Sequence, residues 1–211
     1  MIINPKYLFY TMIGCASVFL LSCSAQKEAD RMAERNTVKT IYPESAFDSI
    51  AAKQALSYGT SSIKGVVFTK PKTQFGYNAP LAPRIYGKNL RITLLPVTPY
   101  FEAWYNLRKE KENKNTIVYM SKQSFRFRLE ALSDEYGRFK FERLKPGRYF
   151  LQTNLAWVMP KGYNQYVGSG SDGWGTTNYY QYHTYNEQHN DRLEQFVEIT
   201  QDGTVVEVKL K

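Results

Sequence analysis

Between Gly137 and Pro146 the chain alternates charged and aromatic side chains, with Arg138, Lys140 and Glu142 set against Phe139 and Phe141. A period of two sends one set into a core and the other into water only if the segment is a β-strand of a half-covered sheet. Phe125, Phe127 and Leu129 alternate with Arg126, Arg128 and Glu130 in the same way. The two runs predict a hairpin about the loop Ser133 to Gly137, in which Glu130 faces Lys140 and Arg128 faces Glu142. Similar runs occur at Ile63 to Phe68, Leu90 to Leu95, Tyr149 to Leu155, Leu193 to Thr200 and Thr204 to Leu210. Asp202-Gly203 between the last two predicts a second hairpin. Seventeen Tyr and twelve Phe favour sheet over helix bundle. The expected fold is mainly β, an antiparallel sandwich of about seven strands.

A chain that is 43% apolar and 22% charged is neither a disordered polyelectrolyte, nor a collagen-like repeat, nor a polytopic membrane protein. Its N-terminus has a separate character. Lys6 is the single charge in residues 1–22, and the apolar stretch from Tyr7 to Leu21 has the length of a signal h-region. It ends in Leu20-Leu21-Ser22-Cys23. This resembles the lipobox of bacterial lipoproteins, with an apolar residue at −3, a small residue at −1 and then Cys. The resemblance implies cleavage before Cys23, acylation of its thiol and attachment to a membrane. Cys15 would leave with the leader, and losing Lys6 would bring the net charge from +9 to +8. Ser24, in the place where Asp would retain the protein at the inner membrane, points to the outer membrane, with the domain facing the periplasm or the cell surface.

Residues 23–61 read as a lipidated tether with a short helix. Ser45-Ala46-Phe47-Asp48 has capping-box spacing, and Phe47, Ile50, Ala51 and Leu56 make one apolar stripe. The sandwich would occupy residues 62–211, with insertions at 97–124 and 156–192. Thr98-Pro99 in the first insertion is an N-cap and N1 pair, and Phe101, Trp104, Tyr105 and Arg108 follow at helical spacing.

The run from Asp134 through Gly137, Phe139, Phe141, Leu144, Pro146 and Gly147 to Tyr149 resembles the D-x-x-G-x-F-x-F-x-x-L-x-P-G-x-Y stretch of carboxypeptidase regulatory-like domains. The resemblance implies a transthyretin-like (prealbumin-like) β-sandwich over roughly residues 62–155. It carries turn and core residues, and no catalytic residue.

The chemistry-bearing side chains point the same way. Neither His183 nor His189 is followed by Glu at the spacing of a zinc carboxypeptidase, and two His cannot make a three-His metal site. Gly168-Ser169-Gly170-Ser171 lacks the spacing of a nucleophile elbow. No catalytic residue, metal or cofactor is therefore expected, and the strand Arg and Lys residues read as a solvated face with no nucleic-acid partner.

The second insertion, residues 156–192, is the unusual segment. It holds eight Tyr and Trp, five Gly and no Phe. Tyr and Trp join an apolar face to a polar tip, which suits recognition surfaces, and the glycines predict a flexible or tightly turned loop. Trp174, Tyr179, Tyr180 and Tyr182 are the candidate binding residues, for a glycan, a peptide or a partner protein. The alternative is a structural cover for a sandwich edge. The expected function is a lipid-anchored, non-catalytic binding or scaffold domain of the cell envelope. Other readings are a lipoprotein of an envelope secretion or assembly machine, or a hydrolase.

Overall fold

The computed structural model describes residues 26–28, 30–32, 37–71 and 81–211. The leader and Cys23 lie outside the described residues. The chain divides into two compact units. The smaller gathers described residues up to Ser45 together with Glu102–Ser121; the larger comprises Ala46–Phe101 and Lys122–Lys211. Among the described residues no helix is long and apolar enough to cross a membrane.

In the smaller unit β1 (Lys39–Ile41) pairs in parallel with β5 (Thr116–Val118). The stretch read as a tether thus contributes a strand to the first insertion. Trp104, on the helix α2 (Pro99–Lys111), donates its Nε1–H to the Val118 carbonyl at 3.1 Å. The Arg108 guanidinium lies 4.5 Å over the Trp104 ring, a cation–π contact. The predicted helix start is observed: the Phe101 amide donates to Thr98 Oγ1 at 3.2 Å.

The larger unit is a β-sandwich of two four-stranded sheets. In one, β2 (Ser61–Thr69) is flanked by β10 (Val205–Leu210), β7 (Arg138–Leu144) and the short β3 (Ile85–Tyr86). The other runs in the order β6 (Leu129–Leu132), β4 (Arg91–Pro96), β8 (Gly147–Asp172) and β9 (Gly175–Ile199), all antiparallel. Ile63, Val67, Phe139, Phe141, Leu144 and Leu210 from the first sheet meet Ile92, Leu94, Tyr149, Leu151, Val197 and Ile199 from the second in one core. Phe139 and Phe141 are buried and Arg138 and Lys140 exposed, as their alternation requires. The second sheet is also covered on its other face, where Phe150 contacts Phe101 and Phe196 at ring separations of 5.0 and 4.9 Å. Burial on both faces explains the unbroken apolar run Tyr149-Phe150-Leu151.

Both predicted hairpins are corrected. β6 pairs with β4 and β7 pairs with β2, so the turn between them carries the chain from one sheet to the other. Glu130 meets Arg91 at 3.2 Å and Arg128 at 2.8 Å in place of Lys140, while Lys140 pairs with Glu142 on its own strand. The turn is built by Asp134, whose Oδ1 accepts from the Tyr136 and Arg138 amides at 2.9 and 2.8 Å. Gly137 takes φ +75° there. Phe125 and Phe127 are not in a strand: α3 (Lys122–Phe125) precedes β6. Likewise β10 does not fold back on β9. It joins β2 in parallel, from Val205 opposite Ser62 to Leu210 opposite Val67. Asp202 holds this crossing, accepting from the Thr60 amide at 3.2 Å.

The helix α1 (Ser49–Ala55) also departs from expectation. Its N-cap is Asp48, which accepts from the Ile50 and Ala51 amides, and not Ser45. Ile50 points outward, 78% exposed, and Ala52 is buried, so the packed face is not the predicted stripe.

Candidate functional site

β8 and β9 continue far beyond the sandwich. β4 accompanies β8 only to Gln152, whereas β8 and β9 stay paired to Asp172 opposite Gly175. The second insertion is therefore a two-stranded antiparallel arm, and the predicted Gly-rich loop is corrected. From Ala156 outward the arm runs for roughly 50 Å at about 3.3 Å per residue. Its tip is a tight turn in which Asp172 Oδ1 accepts from the Trp174 and Gly175 amides, both at 3.0 Å.

The glycines that suggested a loop serve this strand pairing. A Cβ on Gly162 would run into the Tyr182 hydroxyl, and one on Gly170 would sit 3.1 Å from the Tyr179 hydroxyl. Each glycine leaves room for a tyrosine ring to lie across the neighbouring strand. A bulge between Tyr166 and Gly168 shifts the register near the tip.

Directly opposed residues share a face, so the register assigns each side chain a side. One face extends the sandwich core. Trp157 stacks on His189 with ring centroids 4.2 Å apart, and its Nε1–H donates to Asp191 Oδ2 at 2.9 Å. Asp191 also accepts from Thr69 Oγ1 at 2.6 Å, which ties the root of the arm to β2. Farther out, Lys161 pairs with Glu187, and His189 Nε2 lies 3.3 Å from the same carboxylate. The bond from Lys161 holds the Glu187 carboxyl below the usual range and raises Lys161 in turn. Tyr163 then stacks on His183 at 5.5 Å and leans on Tyr185 at 6.2 Å.

The opposite face carries Tyr182 over Gly162, and Tyr166 edge-on to Tyr180 with centroids 5.8 Å apart. Of the four residues predicted from sequence, the structure brings Tyr180 and Tyr182 together on this face. Tyr179 lies on the other face over Gly170, and Trp174 stands alone in the tip turn, 99% exposed. Tyr166, Tyr163 and both histidines were missed. Their neighbours are set by the register of β8 against β9, which neither strand's own sequence carries.

Elsewhere, a groove of about 1140 Å³ is lined by Lys64, Lys140, Lys209, Glu130 and Glu207 among others. Lys64 stands opposite both Lys140 and Glu207 across the strands, so its charges are mixed. Among the described residues no group of three or more His, Cys, Asp or Glu is placed to hold a metal ion.

No family model matches the chain, and no curated protein matches it in sequence. Among solved structures it is similar to a candidate carbohydrate binding protein from Pseudomonas aeruginosa, whose crystal structure is at 2.61 Å resolution. The two share 17% identity with a TM-score of 0.50, over 79% of this chain and 97% of that one. At that identity the likeness shows a shared fold.

Proposed function

We propose that this protein is a non-catalytic binding domain of the bacterial cell envelope, held to a membrane through acyl chains on Cys23, with the β8–β9 arm as its binding element. The observation that carries the reading is the arm itself. An isolated two-stranded ribbon is only marginally stable in water, yet this one holds Tyr166, Tyr180 and Tyr182 at 54%, 59% and 66% exposure. Presenting that much aromatic surface on strands fits recognition better than edge cover. Carbohydrate is the ligand class that the similar solved structure supports. Membership of the carboxypeptidase regulatory-like domains, proposed on the Asp134 to Tyr149 pattern, accords with a scaffold that displays appendages. The lipobox-like run at Cys23 supports the anchor, and Ser24 an outer-membrane address.

The test is to clip the arm. Residues 158–188 are replaced by Asn-Gly, joining Trp157 to His189 across the register in which they already face each other. The clipped protein should melt within about 4 °C of the parent, since the removed side chains are mostly exposed. In detergent, which keeps the acyl chains out of any membrane, it should lose the retention on sacculi that the parent shows. Equal retention by the clipped protein would refute the arm as the binding element.

A further inference from the structure

We infer that one face of the arm, the face bearing Tyr166, Tyr180 and Tyr182, binds an uncharged polysaccharide laid along the ribbon; this rests on the binding role proposed above. The register separates the arm's charges with a clean boundary. On this face no residue from Ala156 to Ser171 on β8, and none from Thr176 to Asn190 on β9, carries a charge. The opposite face holds Lys161, Glu187, Asp172 and both histidines. Charge returns to the uncharged face only at Arg192, at the arm's root.

In place of charge this face offers two chemistries. The first is aromatic: Tyr182 is held flat across Gly162, and Tyr166 and Tyr180 form a facing pair one rung farther out. Successive same-side residues on a strand stand about 7 Å apart, so the rings form a row along the arm. The second is neutral hydrogen bonding, from Asn164, Thr184, Asn186 and Gln188 interleaved with the rings. Side-chain amides both donate and accept.

A neutral sugar chain presents the complementary pair, C–H-rich ring faces that stack on aromatics and hydroxyls that pair with amides. Other ligands fit less well. A nucleic acid or an acidic polymer requires Lys or Arg on the face, and there is none. A membrane surface requires a continuous aliphatic patch or basic residues, whereas the register places only Val158 and Pro160 as aliphatic side chains on this face from Val158 outward, with Val167 unpaired in the bulge near the tip. A protein hot spot is normally a buried pocket with anchors, while this face is a flat ribbon. The ring across Gly162 is also preorganised, which lowers the ordering cost of binding.

The full-length protein in detergent is run in affinity gels containing β-glucan, mannan or arabinoxylan, which are neutral, and polygalacturonate, which is acidic. At least one neutral polymer should retard it and polygalacturonate should not. Tyr180→Ala with Tyr182→Ala should weaken retardation about tenfold or more. Tyr163→Ala with Tyr185→Ala, on the opposite face, should leave it unchanged. Thr184→Glu, which puts a charge beside the Tyr182 ring without removing any ring, should weaken binding as the double change does. Circular dichroism confirms that each variant is folded. Retardation by polygalacturonate alone, equal loss from both double changes, or full binding by the Tyr180/Tyr182 variant overturns the inference. If no polymer retards the parent, the inference falls as well, while retention on sacculi in detergent still decides the broader binding role.

Discussion

Gly65 sits in the middle of β2, where a glycine is locally the wrong residue, because Gly in a strand interior is destabilising by about 0.5–1 kcal/mol relative to Ala. The core explains it. A Cβ there would lie 2.5 Å from Cζ of Phe139 and 2.6 Å from Cγ2 of Val208. Both atoms belong to core residues that are at most 9% exposed, so neither can swing into solvent. Gly65→Ala should therefore cost about 1–3 kcal/mol, in the range of overpacked cores. Phe139→Ala should cost about 3–5 kcal/mol through lost contact and the cavity left behind. In the double variant the new methyl group enters the space the ring vacated, leaving only the clash with Val208. The two costs should fall short of additivity by about 1–2 kcal/mol. Urea denaturation of the four proteins at 25 °C measures this, provided the m-values agree. In thermal melts Gly65→Ala alone should lower Tm by roughly 2–12 °C, at about 2–4 °C per kcal/mol for a domain of this size. Additive costs, or a Gly65→Ala variant as stable as the parent, would show that β2 and β7 do not pack in the register described.

Three other outcomes are expected. Tyr149 donates its hydroxyl proton to the Lys145 carbonyl at 2.8 Å, and burial pushes its phenol above the ordinary value. The stability this contributes is complete below about pH 10 and lost as pH rises through the raised value; Tyr149→Phe should cost about 0.5–1.5 kcal/mol at pH 7 and flatten the alkaline limb of a Tm-against-pH curve. Asp202 is held below the usual carboxyl range by hydrogen bonds from Thr60, so its contribution is present above about pH 4 and lost as pH falls through the depressed value. Asp202→Asn should show a shallower loss of Tm between pH 5 and pH 2 than the parent, both bounds being about where such carboxyls titrate. Cys23→Ala should leave an uncleaved precursor without fatty acid in metabolic labelling; normal processing of that variant would refute the anchor.

The inward and outward sides of strands were legible because period-two alternation is a local property. Phe139 and Phe141 against Arg138 and Lys140 needed no neighbour to declare which side was which. Turn chemistry was legible for the same reason: Asp134 with Gly137 builds the turn that its residues predict, and Thr98-Pro99 opens the predicted helix. Sequence by itself therefore determined a mainly β chain, the core face of strands such as β7, the turn at Asp134 and the helix start at Thr98, whereas the same alternation at Phe125 and Phe127 made no strand.

Which strand lies beside which was decided only in three dimensions. A half-buried strand looks the same to its own sequence whether its neighbour is the next strand or one from the far end of the chain. Asp202-Gly203 makes a tight turn, but the bond from Thr60 to Asp202 directs the following strand to β2 in the opposite sheet, where Leu210 completes the core. The arm shows the same division. Its Tyr, Asn and Gly content was visible along the chain, and the glycines read as flexibility because a backbone without Cβ is permissive when considered alone. Pairing reverses that meaning. Across the ribbon Gly162 becomes the floor under Tyr182, and the register sorts Lys161 and Glu187 to one face and an uncharged row of Tyr and amides to the other. A face exists only once two strands are in register, so its chemistry could not be read from either strand alone.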